Sequence, residues 1–119
     1  SPIIVASGWK PGWSTDYNSV VLANDYQIKT IIKMSNIDYI YDKDPKKYPD
    51  AKKIEKMHWN KLQELVGTKW VPGKSTPFDP IATKLASDSQ LKVLFLHGKD
   101  LNSLEKAIDG KKFVGTIIQ

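Results

Sequence analysis

Short unbroken apolar runs along the chain alternate with stretches whose apolar residues recur every three or four positions. The first run, Ile3, Ile4, Val5 and Ala6, is ended by Gly8, Pro11 and Gly12 and predicts a buried strand. Ser14, Thr15 and Asp16 then offer capping side chains before Tyr17, Val20 and Val21, whose spacing makes one helical face; a helix to about Tyr26 is expected. Residues 30–34 are again compact and largely β-branched, and strand, helix, strand at this spacing predicts a right-handed parallel crossover. Between 38 and 53 the chain turns polar and aromatic, with Pro45 and Pro49 excluding a helix interior, so an ordered loop with extended pieces is expected.

Leu62, Leu65 and Val66 mark a second helix, capped by Asn60 and stopped by Gly67. A loop with Pro72, Gly73, Ser75 and Pro77 follows, after which Asp79 and Pro80 suit the cap and first turn of a helix burying Ile81, Ala82 and Leu85. The clearest strand is 92–96, because the unbroken Val93, Leu94, Phe95 and Leu96 implies burial on both faces, as in a parallel sheet with helices on each side. Asp100 is placed to cap a last helix through Leu101, Leu104 and Ile108, Gly110 to end it, and 113–118 to return as a strand. No internal repeat or low-complexity segment is read. The pattern predicts an α/β fold, in which ligands lie beyond the carboxyl ends of the strands.

Composition narrows this little. A chain of 119 residues suits one domain, and 40% apolar with 26% charged residues describes a globular chain. No apolar run approaches the roughly 18 residues of a membrane span, and no basic-then-apolar leader is present. The lack of cysteine excludes disulfides and thiolate metal sites, which fits a reducing cytosol, and a cytoplasmic location is expected. The net charge of +5 comes from lysine alone, since the chain has no arginine. Lysine meets phosphate as a mobile point charge, so any bidentate clamp or arginine finger must come from elsewhere. The lysines are scattered, with no stripe of basic and aromatic residues, which argues against a nucleic-acid surface.

Two loops leave the carboxyl ends of predicted strands. The first, Gly8-Trp9-Lys10-Pro11-Gly12-Trp13-Ser14-Thr15-Asp16, reads either as a capped strand-to-helix turn or as an anion site made of free backbone N–H groups, the helix dipole and Lys10. Trp9 and Trp13 must pack on the core or face a planar ligand. In the second, Ser35 to Pro45, the acids Asp38, Asp42 and Asp44 lack the glycine and terminal glutamate of an EF-hand, and read as turn formers. His58, before a helix, and His97, ending the buried strand, suit structural roles in which a ring nitrogen satisfies backbone groups. Neither has the partners of a metal site. Asp79 reads as a cap and not as a magnesium ligand.

GWKPGWSTD (8–16), SNIDYIYDKDPKKYPDAKK (35–53), PFDPIATKLA (77–86) and a closing FVGTII (113–118) resemble, in order and over essentially the whole chain, the second half of UMP kinases of the amino-acid kinase family. The resemblance implies a three-layer α/β/α sandwich with a mostly parallel sheet, and transfer of the γ-phosphoryl group of ATP to UMP with Mg2+. It places UMP contacts on Trp9, Lys10, Pro11, Gly12, Trp13, Ser14 and Thr15, and ATP contacts on Ser35, Asn36, Tyr41 and Asp44. Tyr41 would offer a ring beside adenine or ribose, Asp44 an acceptor for a sugar hydroxyl or an amide, and Ser35 and Asn36 short polar groups. Asp38 matches the acid of the family's VDG segment, but Tyr39 stands where a glycine is usual, so a different local turn is expected.

The family's glycine-rich phosphate loop, catalytic lysine, Gly-Gly pair, Arg and Asp have no counterpart here. No catalytic residue is therefore assigned, residues 1–119 are expected to be the carboxyl-terminal ATP-binding part, and a start at Ser1 suits an excised piece. Such a piece alone should be inactive, because phosphoryl transfer needs charge positioned around the transferred group. The resemblance further implies a homo-oligomer, hexameric in the family, completed by the missing amino-terminal half. Alternatives are glutamate, aspartate, carbamate or isopentenyl phosphate kinases of the same fold, or a nucleotide-binding module without catalysis.

Overall fold

A computed structural model of the chain describes residues 3–7, 13–35, 37–43, 48–68 and 80–119. Their elements run β1 (Ile3–Ser7), α1 (Trp13–Asp25), β2 (Thr30–Ser35), β3 (Ile40–Tyr41), β4 (Lys53–Ile54), β5 (Lys56–Met57), α2 (Trp59–Thr68), α3 (Pro80–Asp88), β6 (Lys92–His97), α4 (Leu101–Ile108) and β7 (Gly115–Ile118). The unbroken apolar strand β6 lies at the middle of a five-stranded sheet of order β1-β2-β6-β7-β5, and β3 with β4 forms a separate hairpin. Strands β1, β2 and β6 are mutually parallel, β7 runs antiparallel to β6, and β5 is parallel to β7.

Alternation along each strand sorts side chains to the two sheet faces. Ile31, Val93, Phe95 and Ile118 pack on one face under Val20 and Ala23 of α1, Leu62 and Leu65 of α2 and Ala86 of α3. Ile32, Leu94 and Leu96 pack on the other, under Leu104 and Ala107 of α4. The expected three layers are thus present, and β6 is buried on both faces as its composition implied.

Three helices end in the same device. After α1, Ile28 N–H donates to the Ala23 carbonyl and Gln27 N–H to that of Asn24; after α3, Leu91 donates to Ala86 and Gln90 to Ser87; after α4, Lys111 donates to Lys106 and Gly110 to Ala107. Each is a pair of bonds that satisfies the last carbonyls while one residue adopts positive φ. That residue is Gly110 (φ 76°) after α4, but Gln27 (φ 55°) and Gln90 (φ 54°) after the other two. The corners Asp25-Tyr26-Gln27-Ile28-Lys29 and Asp88-Ser89-Gln90-Leu91-Lys92 are therefore one short motif used twice, although no repeat is evident at the scale of whole elements. Gly115 is required for a different reason: a Cβ there would collide with the Phe95 carbonyl oxygen and the Phe113 ring.

Helix boundaries differ from expectation where side-chain type alone suggested a cap. Helix α1 begins at Trp13, so Ser14, Thr15 and Asp16 occupy its first turn, where short polar and acidic residues are also favourable. Helix α2 begins at Trp59, and the His58 carbonyl accepts from Lys61 and Leu62 N–H, so Asn60 lies inside the helix and not at its cap. Including Trp59 buries its ring and lets its Nε1 donate to the Leu91 carbonyl at 2.7 Å. Gly67 does not stop α2, which continues to Thr68. Asp100 does cap α4, its carboxylate accepting from Ser103 N–H. The buried face of α4 is not the expected Leu101, Leu104 and Ile108: Ser103 and Ala107 are buried, Leu104 is half-buried, and Leu101 and Ile108 are 68% and 50% exposed. Small residues let α4 lie close to the sheet, where Ser103 Oγ accepts from Val114 N–H. The short β5 is an addition that its charged composition did not suggest.

Candidate functional site

The carboxyl ends of β2 and β6 meet in register, Ser35 opposite His97, and Gly98 N–H donates to the Ser35 carbonyl at 2.7 Å. Just beyond, His97 Nδ1 accepts from Lys99 N–H at 3.0 Å, so this ring orders the turn into α4. The chain leaving Ser35 passes through Ile37, Asp38 and Tyr39 into β3, so Tyr41 lies six residues from a strand end.

One carboxylate oxygen organises this approach. Asp38 Oδ1 accepts from Tyr39 N–H at 2.9 Å and from the Tyr41 hydroxyl at 3.0 Å. Burial first, and then the hydrogen bond to Asp38, hold the Tyr41 phenol above its ordinary pKa. A neutral ring with its proton committed to Asp38 presents a face for stacking and an oxygen lone pair for accepting. Tyr39 takes the glycine-like position without positive φ, since among the described non-glycine residues only Gln27 and Gln90 have it. Its ring meets Lys53 Nζ 4.9 Å from the centroid. That contact gives a physical reason for tolerating a large side chain there.

The other half of the hairpin is held in the same way. Asp42 Oδ1 accepts from Lys52 N–H at 2.8 Å while Asp42 N–H donates to the Lys52 carbonyl at 3.0 Å. Lys43 and Asp50 pair at 2.8 Å, and this bond raises the lysine and lowers the aspartate pKa. Both are solvated, so the pair adds little stability. Asp38 and Asp42 therefore satisfy backbone N–H groups, as turn-forming acids should. Among the described residues no group of three His, Cys, Asp or Glu side chains is arranged to hold a metal ion.

Of the residues implied by resemblance, Ser35 and Tyr41 are described, at the end of β2 and in β3. The backbones of Trp13, Ser14 and Thr15 begin α1, following the carboxyl end of β1, but their side chains lie outside the described residues. Trp9, Lys10, Pro11, Gly12, Asn36, Asp44 and the Asp79 cap also lie outside them. His58 Nδ1 donates to the Gln119 carbonyl at 3.2 Å, so both histidines serve backbone groups. An open cleft of about 350 Å³ lined by His58, Trp59, Asn60, Ser87, Gln90 and Gln119 lies at the opposite, amino end of β6.

Sequence reasoning missed Thr116, which is fully buried in β7 and bonded to both hairpin strands. A hydroxyl inside an otherwise apolar closing strand was the available signal.

A mostly parallel α/β sheet with helices packed on both faces defines the class, and the chain belongs to the amino acid kinase family, whose profile matches residues 2–97. Within that family it is similar to uridylate kinases. The uridylate kinase of Staphylothermus marinus is 36% identical over 116 residues, 98% of this chain and 51% of that protein. The crystal structure of uridylate kinase from Archaeoglobus fulgidus superposes with a TM-score of 0.75 at 30% identity, covering 94% of this chain and 50% of that one. UMP kinase from Bacillus anthracis gives a TM-score of 0.72 at 25% identity, covering 88% and 40%. The chain spans about half the length of the curated relatives it matches. No helix among the described residues is long and apolar enough to cross a membrane.

Proposed function

We propose that this chain is the ATP-binding part of a UMP kinase, in which a phosphate oxygen of UMP attacks the γ-phosphorus of ATP and the bond to the ADP oxygen breaks, giving UDP. The observation that carries this reading is likeness to uridylate kinases over nearly the whole chain, at 36% identity. The hairpin geometry agrees with it, because Asp38 presents a half-buried neutral Tyr41 ring near the end of β2.

In this reading Tyr41 lies against adenine or ribose, Asp44 accepts from a sugar hydroxyl, and Ser35 and Asn36 line the nucleotide. Residues 9–15 face UMP, with the first turn of α1 directing its N–H groups toward the acceptor phosphate. ATP enters as its Mg2+ complex. In the same reading the family's phosphate-loop lysine and its arginine, which hold and activate the γ-phosphate, belong to the part of the relatives that this chain does not span. A cytoplasmic homo-oligomer is part of the same proposal.

In the full-length enzyme, Tyr41→Ala and Asp44→Ala are each expected to raise KM for ATP roughly five- to a hundredfold, the worth of one truncated contact, with KM for UMP nearly unchanged. Steady-state kinetics with each substrate varied in turn decides it. An unchanged ATP KM in both variants removes this assignment.

A further inference from the structure

The hairpin that carries Tyr41 is too small to hold itself in place. Strands β3 and β4 contribute two residues each, paired Ile40 with Ile54 and Tyr41 with Lys53, and an isolated two-stranded hairpin is at best marginal in water. Besides the run of β4 into β5 and the packing of Ile40 and Ile54 on the core, a side chain from the far end of the sequence ties it to the sheet. The Thr116 hydroxyl accepts from Ile40 N–H at 2.9 Å and donates to the Ile54 carbonyl. Ile40 and Ile54 are opposite each other, so one hydroxyl occupies a single rung of the hairpin and serves both strands.

The bond pattern beside that rung explains why a hydroxyl is needed. Residues 53–57 change partners along their length: Lys53 and Ile54 pair with β3, whereas Lys56 and Met57 pair with β7. Ile117 N–H donates to the Glu55 carbonyl and Gln119 N–H to that of Met57, which ties the second half of this segment directly to β7. Thr116 lies next to Ile117 and points to the face where Ile40 and Ile54 pack, since Ile118, two residues on, belongs to the same cluster. It is fully buried, as is Ile40, so the groups it satisfies have little access to water.

We infer that Thr116 is a positioning residue for the nucleotide site: its hydroxyl clasps the β3–β4 hairpin to β7 and so fixes Tyr41, one residue beyond Ile40, relative to the strand ends. This rests on the ATP reading of the hairpin given above. Thr116 itself makes no contact with nucleotide in this proposal. Its effect is transmitted through the backbone of Ile40, and it should alter ATP affinity while leaving the UMP side of the site alone.

The test uses the full-length enzyme with Thr116→Val, which keeps the shape and removes the hydroxyl, Thr116→Ser, which keeps the hydroxyl, and Tyr41→Ala as the control for the ATP reading. Thr116→Val is expected to raise KM for ATP about tenfold, with KM for UMP within about twofold of wild type. Thr116→Ser should restore most of the ATP affinity. Hydrogen exchange by mass spectrometry should show faster exchange over 37–43 in Thr116→Val and no change over 92–97. If Tyr41→Ala weakens ATP but Thr116→Val does not, or if both KM values move together, or if serine fails to rescue, the positioning role is overturned. If Tyr41→Ala has no effect on ATP, the ATP reading falls, and exchange over 37–43 in Thr116→Val alone decides the clasp. Should Thr116→Val not fold, wild-type exchange decides it: protection of 37–43 comparable to 92–97 supports the clasp, and exchange as fast as over exposed 48–50 overturns it.

Discussion

The two faces of the central sheet are buried by unequal means. On one, α1, α2 and α3 together cover Ile31, Val93 and Phe95. On the other, among the described residues, the eight residues of α4 and the Phe113 side chain cover Ile32, Leu94 and Leu96, while Val5, Val114, Leu101 and Ile108 stay between 44% and 68% exposed. The alternating residues of β6 are equally apolar, so the strand itself carries no sign of this difference. A strand's composition reports that both its faces are covered. The amount of cover depends on the helices brought to each face.

Replacing the paired residues of β6 should break or sharpen that contrast most strongly. Phe95→Ala, under three helices and with no exposure, is expected to cost about 3–5 kcal/mol, because the surrounding layers leave little room to collapse. Leu96→Ala, equally buried under one helix, should cost about 2–3 kcal/mol, since a single short helix can settle into the space. Denaturant melts of both variants in the full-length protein measure the pair. Equal or reversed costs would mean that the thin face is covered by more than α4 and Phe113.

A smaller effect is expected at the corner that delivers α3 to the thick face. Gln90 holds φ 54° at a helix end where glycine loses nothing sterically, and Gly110 already fills the equivalent place after α4. Gln90→Gly should therefore leave the fold intact and change stability by no more than about 1 kcal/mol, in the stabilising direction if relief of the left-handed strain exceeds the added chain entropy. A clear loss of stability would show that the glutamine side chain itself contributes to the corner.

The smallest effect concerns α4, the cover of the thin face. The Ser103 backbone N–H, ahead of smaller contributions, holds the Asp100 carboxyl below its ordinary pKa. A depressed acid stabilises the fold above its unfolded pKa, and that contribution disappears as pH falls through the depressed folded value. Acidification below about pH 4 should thus loosen the start of α4, visible in the NMR shift of the Ser103 amide. Asp100→Asn, which caps without titrating, should remove that pH dependence. A pH-dependent Ser103 shift that persists in Asp100→Asn would assign it to another group.

What could be read from the sequence follows from how local each signal is. The strands β1, β2 and β6, and the layers around them, were legible because an apolar run and its flanking breakers lie within ten residues of each other. Boundaries that depend on a distant partner were not. Helix α2 starts two residues earlier than an Asn60 cap implies because Trp59 reaches the Leu91 carbonyl, 32 positions away. The buried face of α4 was misread because Ser103 and Ala107 carry too little hydrophobicity to mark it against Leu101 and Ile108. In the hairpin, the acids Asp38 and Asp42 were legible as turn formers because their bonds reach only one and ten residues. Thr116 was not, because Ile40 lies 76 residues from it and nothing near either residue refers to the other. That Tyr41 faces nucleotide is implied by a motif and proposed above, and no local pattern bears on it.

The twice-used glutamine corner has a consequence for the opposite end of the sheet. Each corner ends in a lysine that begins or precedes a strand, and Lys92 N–H donates to the Lys29 carbonyl at 2.8 Å, so the two corners are joined to each other where the strands begin. From there the pairing runs without slip, Thr30 with Lys92 through to Ser35 with His97. The corners thus act as a common origin from which both strands are measured. A one-residue insertion at Gln27 or Gln90 would arrive undiminished at the loop ends, displacing Ser35 against His97 by a full residue and turning inward-facing side chains outward. Alignment of the carboxyl ends of β2 and β6 is accordingly decided at their amino ends, across the sheet.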